Sequence, residues 1–194
     1  MKDRSSDLVR EYVDLNEEEA KIVDDCIKIK TFDKSDILLR EGQVSKESYH
    51  VLKGCLRIYY LVKGEEKTVA FYTEGQTVSS FKSYTSGTPS RHYLACVEDS
   101  TLVCLTYEKE QELYSRLPIF ESLCRQSAEK DFGENQEALA DYIIKSPEER
   151  YLHLMDTRPE LLTRVPQYHL ATYLGVKPES LSRIRKRIAE KGDS

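Results

Sequence analysis

The segment from Gln167 to Ile188 constrains this chain more than any other. Leu170 and Leu174 stand four apart, so they share one face of a short helix. Ala171 offers a small side chain where a second helix could cross at a steep angle. Gly175 supplies the residue that tolerates positive φ at the turn, and Val176 follows to plug it. Pro178 suits the start of a second helix, where its missing N–H costs nothing. Leu181, Ile184 and Ile188, spaced three then four, form that helix's buried stripe. Glu179, Ser180, Ser182, Arg183, Lys186 and Arg187 fall on its opposite face, flanked by Arg185. Small residue, glycine and both stripes are in register for a helix-turn-helix. Its polar face has the side chains that reach base edges and phosphates in a DNA major groove. An ordinary helical hairpin with a solvated charged face is the alternative. Lys177 stands where Ser or Thr would cap better, which predicts a slightly frayed start.

The net charge of −5 argues at first against a nucleic-acid partner, but its distribution does not. From Arg164 to Ser194 there are seven Lys/Arg and three Asp/Glu, a net of +4. The rest carries 22 against 31, a net of −9. An acidic body with a basic end is the pattern expected when only the end meets phosphates.

The body changes texture twice. Residues from about Ser6 to Lys28 read as helical, with Leu15, Ala20, Ile22, Val23, Cys26 and Ile27 at helical spacing. From Thr31 to Thr106, short β-branched and aromatic runs alternate with turn residues, which predicts a small barrel or sandwich. Strands are predicted at 37–40, 49–52, 55–62, 67–72, 93–97 and 101–106, with Leu56, Ile58, Tyr60 and Val62 on one face. Helix returns from Glu108, and Pro118 to Lys145 reads as one long helix. Its apolar residues, Ile119, Phe120, Leu123, Cys124, Ala128, Phe132, Leu139, Tyr142 and Ile143, recur mostly three and four apart. At about 40 Å this helix is too long for one small barrel to cover, so it either packs along the molecule or pairs with a second copy. Gly133 weakens its middle. Ser146-Pro147-Glu148-Glu149 is a capping box that starts a new helix with Leu152 and Met155 on one side, ended by Thr157-Arg158-Pro159.

Cysteines 26, 55, 96, 104 and 124 are scattered, as are histidines 50, 92, 153 and 169, so reduced thiols and no metal site are expected. The polar start and the lack of a long apolar run predict a cytoplasmic protein without membrane contact. No nucleophile–base motif, carboxylate pair or phosphate-binding glycine loop appears, so no enzyme activity is expected.

Ala171-Thr172-Tyr173-Leu174-Gly175-Val176 followed by Pro178-Glu179-Ser180-Leu181-Ser182-Arg183 resembles the DNA-binding motif of the Crp-Fnr family of bacterial regulators. Leu38-Leu39-Arg40-Glu41-Gly42 followed by Val51-Leu52-Lys53-Gly54 resembles the start of that family's cyclic-nucleotide-binding β-roll. Glu74-Gly75-Gln76 resembles the loop into its phosphate-binding cassette. The resemblance implies an α+β chain: a sensor β-roll of double-stranded β-helix or jelly-roll type (1–117), a dimerisation helix (118–145) and a helix-turn-helix domain (146–194). It implies a homodimeric, sequence-specific transcription regulator whose partners are double-stranded DNA and RNA polymerase. The implied DNA-binding residues are Gln167, Tyr168, Lys177, Glu179, Ser180, Ser182, Arg183, Lys186 and Arg187, with Glu179 and Arg183 aligned with residues that contact bases. The implied dimer residues are Phe120, Leu123, Phe132 and Leu139.

The sequence departs from the family in places that bear on the effector. Nucleotide-binding members follow the cassette glycine with Glu, where this chain has Gln76. They then carry Arg-Ser/Thr-Ala, where this chain has Ser90-Arg91-His92-Tyr93-Leu94. Losing a bidentate arginine from a phosphate site is expensive. The candidate effector residues are therefore Gly75, Gln76, Ser90, Arg91, His92 and Tyr93, and no cofactor is expected. Cyclic AMP is disfavoured, which leaves another small ligand or none. Members also continue into a β-hairpin wing, whereas only Glu190 to Ser194 follow here, so no wing is expected. The competing function is a ligand-binding or scaffolding β-roll whose degenerate helix-turn-helix no longer binds DNA.

Overall fold

The structure is a computed structural model that describes residues 4–10 and 13–192. Asp193 and Ser194, on which part of the expectation of a missing wing falls, lie outside the described residues, as do residues 1–3. The chain divides into two compact units: residues up to Arg57 with Phe71–Glu129, and Ile58–Ala70 with residues from Lys130 onward.

The first unit opens with two helices, α1 (Ser5–Val9) and α2 (Glu17–Cys26), where the periodicity predicts one. Asn16 explains the break. Its side chain accepts from the N–H groups of Glu18 (2.9 Å) and Glu19 (3.0 Å), while Glu19 accepts from the Asn16 N–H (2.9 Å). This capping box starts α2 afresh. Ser6 ties the two helices together by donating its N–H and hydroxyl to Asp24 at 2.8 and 3.0 Å.

Eight strands follow: β1 (Lys28–Phe32), β2 (Ile37–Leu39), β3 (Glu47–Lys53), β4 (Leu56–Val62), β5 (Glu65–Tyr72), β6 (Thr77–Val78), β7 (Tyr93–Cys96) and β8 (Ser100–Thr106). They form two four-stranded sheets, ordered β1-β8-β3-β6 and β2-β7-β4-β5. β1 pairs antiparallel with β8, from Lys28 opposite Cys104 to Phe32 opposite Ser100. The pattern of short runs misses β1 because its Lys-Ile-Lys-Thr-Phe alternates on an edge with no fully buried residue. In β4 the expected alternation also fails. Leu56, Arg57, Ile58 and Tyr59 are all buried, while Val62 is exposed, so the strand is covered on both faces at its start and leaves cover at its tip.

The core of the first unit is built on Val51, Cys55, Leu56, Leu94 and Leu102, all at most 1 % exposed. Each large aliphatic among them contributes about 1.5–3 kcal/mol by burial. Burial pushes the Cys96 thiol up to about 11 and the Cys104 thiol up to about 12, so neither forms a thiolate at neutral pH. A short helix, α3 (Phe81–Ser86), lies between β6 and β7 and closes on Gly87 at φ +65°. Helix α4 (Tyr107–Arg116) starts at Thr106, whose hydroxyl accepts from the Lys109 N–H. Then comes α5 (Pro118–Ile144), one continuous helix through Gly133. Its first turn belongs to the core. Phe120 is buried with Val23, Cys26, Ile27, Leu113 and Leu117.

The second unit contains most of the β4–β5 hairpin (Ile58–Ala70), the C-terminal half of α5 and four helices: α6 (Pro147–Thr157), α7 (Leu161–Arg164), α8 (Gln167–Tyr173) and α9 (Pro178–Gly192). The Ser146–Glu149 capping box forms as the sequence predicts, with Pro147 in the first turn. The apolar face of α6 is not the expected one: Tyr151 and Leu154 are buried, whereas Leu152 and Met155 are exposed. Both pairs sit three apart, so spacing cannot choose between them. Leu161, Val165, Leu170, Leu174 and Leu181 complete this core. No helix among the described residues is long and apolar enough to cross a membrane.

Candidate DNA-binding and effector sites

Helices α8 and α9 are joined by a tight turn. Gly175 adopts φ +71°, a conformation that costs a residue with a Cβ about 1–2 kcal/mol. The Gly175 N–H donates to Thr172 O (3.1 Å) and the Val176 N–H to Ala171 O (2.9 Å), which satisfies the end of α8. Ala171 is fully buried at the crossing, as its size requires. On α9, Leu181 is 0 % and Ile184 7 % exposed, and Ile188 is half-buried. The other face lies in solvent: Glu179, Ser182, Arg183, Lys186 and Arg187 are exposed, and Ser180 is half-buried. Gln167 and Tyr168 are exposed on the first turn of α8. Lys177 is exposed before α9, and its carbonyl accepts from the N–H groups of Ser180 and Leu181.

The charges on this face are not equivalent. Arg187 Nη1 lies 2.6 Å from Glu148 Oε2 on α6, so the protein already holds that guanidinium. Among the described residues Lys186 makes only a long 3.9 Å pair with Glu190. Among the described residues Glu179 and Arg183 form no ion pair with each other, although a helix places them one turn apart. Arg183 is thus presented outward on a helix whose opposite face is fixed in the core. Sequence reasoning missed what supports this arrangement from behind, chiefly Arg150, because nothing in its spacing marks its partners.

In the first unit, the candidate effector residues have varied surroundings. Gly75 sits at φ +81° and donates its N–H to Val51 O at 2.9 Å. The Gln76 side-chain carbonyl turns back on its own loop, accepting from the Thr73 N–H at 2.9 Å and its hydroxyl at 3.4 Å. Ser90 is buried and knitted into the fold. Its hydroxyl accepts from Ser80 (3.1 Å) and donates to His92 O (2.9 Å), and its N–H donates to Gln43 O (2.8 Å). Ser83 accepts from the Ser45 N–H nearby in sequence to this loop system, at 2.8 Å. Arg91 is exposed, while His92 and Tyr93 are half-buried. Burial holds the His92 imidazole below its usual range, so it is neutral at pH 7. Arg91 is the one cation among these six residues.

On α5, Phe132 and Leu139 are 65 % and 63 % exposed, with Ile143 and Ile144 exposed beyond them. Leu123 is half-buried. Phe120, also in the expected dimer set, is only 7 % exposed in the single chain. Its ring is enclosed by α2 and α4 of its own chain and has little surface to offer a second copy.

Residues 29–116 match the family model of the cyclic nucleotide-binding domain. FixK2 from Bradyrhizobium japonicum superposes with a TM-score of 0.68 at 18% identity, covering 86% of each chain. The c-di-GMP-responsive global regulator CLP of Xanthomonas campestris superposes with a TM-score of 0.71 at 16% identity, covering 91% of this chain and 93% of that one. The fold is that of the Crp-Fnr regulators. A regulator of this family from Eubacterium rectale gives a TM-score of 0.69 at 16% identity, covering 92% of this chain and 85% of that one. No curated protein sequence matches the chain. The Crp-Fnr fold accounts for the antiparallel roll, the long helix and the C-terminal helices that the sequence resemblance implies.

Proposed function

We propose that the chain is a homodimeric, sequence-specific DNA-binding transcription regulator that acts in the cytoplasm. The observation that carries this reading is the two-sidedness of α9. Leu181 and Ile184 anchor one face in the core, while Glu179, Ser182, Arg183 and Lys186 stand in solvent on the other. A rigidly backed helix with an exposed polar face fits the major groove, where Arg suits guanine and Glu accepts from cytosine. Lys177, Lys186, Gln167 and Tyr168 serve as phosphate and sugar contacts at the margins. The apolar residues left exposed along α5 support pairing with a second copy. Selection from random duplexes tests the reading: the dimer is expected to enrich two copies of one half-site in inverted orientation. Recovery of random sequence would favour the competing role, a β-roll whose helix-turn-helix no longer reads DNA.

The effector in this reading is a small molecule other than cyclic AMP. Gln76 uses its carbonyl to close its own turn, and Ser90 uses its hydroxyl inside the fold, so neither is disposed toward a ribose or a cyclic phosphate. That a protein of this fold is described as c-di-GMP-responsive supports the idea that the fold accommodates other ligands. A thermal-shift comparison of cyclic nucleotides and small metabolites tests it, since a ligand of the folded state raises stability. A clear shift with cyclic AMP at micromolar concentration would refute its exclusion.

A further inference from the structure

Arg150, in the first turn of α6, grips main-chain carbonyls from two separate places. Its Nη1 donates to Tyr142 O at 2.8 Å and to Lys145 O at 2.7 Å, at the end of α5. Its Nη2 donates to Leu174 O at 2.7 Å, at the end of α8. The guanidinium also lies 4.5 Å from the centroid of the Tyr142 ring. Tyr142 in turn reaches the helix-turn-helix: a Cβ on Gly175 would lie 2.7 Å from its hydroxyl and 3.3 Å from Arg150 Nη2. All these residues belong to the second unit.

The chemistry of this junction is specific. Carbonyls in the last turn of a helix lack intrahelical donors, and the helix dipole makes that end negative. A planar, permanently charged fork can satisfy several such acceptors at fixed angles, whereas an ammonium on a flexible stem cannot. Stacking on Tyr142 fixes the plane of the fork. Among the described residues, Arg150 Nε is buried without a hydrogen-bond partner, so the three carbonyls and the ring are what hold the side chain. Gly175 is needed for its positive φ, and a Cβ there would also press on the Tyr142 hydroxyl.

We propose that Arg150 is a positioning residue that sets the angle of the helix-turn-helix on the end of α5. In a dimer joined along α5, that angle sets the separation of the two recognition helices. Half-sites must lie about one helical turn apart, 34–36 Å, or a multiple of it, to be read together. Arg150 thereby selects the half-site spacing while touching no base. This inference rests on the proposed dimeric DNA binding.

The test uses the full chain carrying Arg150→Gln, Arg150→Lys or Tyr142→Leu. The probes are duplexes with the half-site selected by wild type, either single or paired at a series of spacings. Wild type is expected to prefer one spacing. Arg150→Gln is expected to bind the single half-site as wild type does but to lose about tenfold or more on the paired site, since avidity vanishes when geometry forbids simultaneous engagement. Arg150→Lys, which keeps the charge, is expected to show the same flattened spacing profile. An unchanged profile, or equal losses on single and paired sites, would overturn the proposal. If Arg150→Gln does not fold by circular dichroism, Tyr142→Leu carries the same comparison. Unfolding of both makes Arg150 a stability residue and overturns the proposal too. Should wild type select no half-site at all, DNA reading itself fails. A wild-type motif with unchanged variant profiles fails the positioning role alone.

Discussion

Replacing Leu139 by Ala tests whether α5 pairs with a second copy. Leu139 is 63 % exposed in the single chain, so roughly two-thirds of its side chain is left to bury. Burying a whole leucine is worth about 1.5–3 kcal/mol, which leaves about 1–2 kcal/mol for this fraction. A two-fold dimer carries the residue twice, so the loss is about 2–4 kcal/mol per dimer. At about 1.4 kcal/mol per decade, the dimer Kd rises roughly 30- to 700-fold. The fold of each chain should hardly change, because Ala is the better helix former at an exposed site. Sedimentation across a concentration series measures the Kd, and thermal unfolding at concentrations where both proteins are monomeric measures the fold. A dimer Kd within twofold of wild type would refute the reasoning. So would a monomer destabilised as much as the dimer, because the face would then be covered by its own chain.

Phe120→Ala should behave in the opposite way, destabilising the chain by about 3–5 kcal/mol in urea unfolding while leaving the association constant of the folded protein unchanged, as expected for a ring enclosed by α2 and α4. Burial holds both His50 and His92 below the usual 6.5. The unfolded chain therefore binds protons that the folded chain refuses. Stability of the first unit should fall as pH drops through about 6.5 toward the lowered native values, and should be flat above it on account of these groups. Urea midpoints between pH 5 and 8 measure this, and a double variant His50→Asn, His92→Asn with the same slope would contradict it.

How much of this was legible in the sequence follows the physics of each element. The helix-turn-helix was legible nearly to the residue, because it imposes several local demands at once. Ala171 at the crossing, Gly175 at positive φ and Leu181 with Ile184 in the core each answer one of them. The Ser146–Glu149 cap was legible for the same reason. The break before α2 was also written locally, in Asn16 and Glu19, but helical spacing across the gap obscured it. What could not be read was set by contacts distant in sequence. β1 is a strand because β8 supplies its partner, and Phe120 is a core residue because α2 packs over it. Arg150 gave no signal, since its partners are main-chain carbonyls that any residue provides. At the candidate effector site, Gln76 was visible as a departure, but its turn back onto Thr73 was not.

Base reading by α9 turns on Arg183. The measurement is the affinity of wild type and Arg183→Ala for the selected duplex and for its single-base variants, at a fixed salt concentration. Arg183 is exposed on the face opposite Leu181 and Ile184 and forms no pair with Glu179, so its removal should leave the fold intact. Base reading by Arg183 predicts a loss of about 1–3 kcal/mol on the selected site and relaxed preference at one base pair. An Arg183→Ala protein with the same motif and the same affinity as wild type would contradict it.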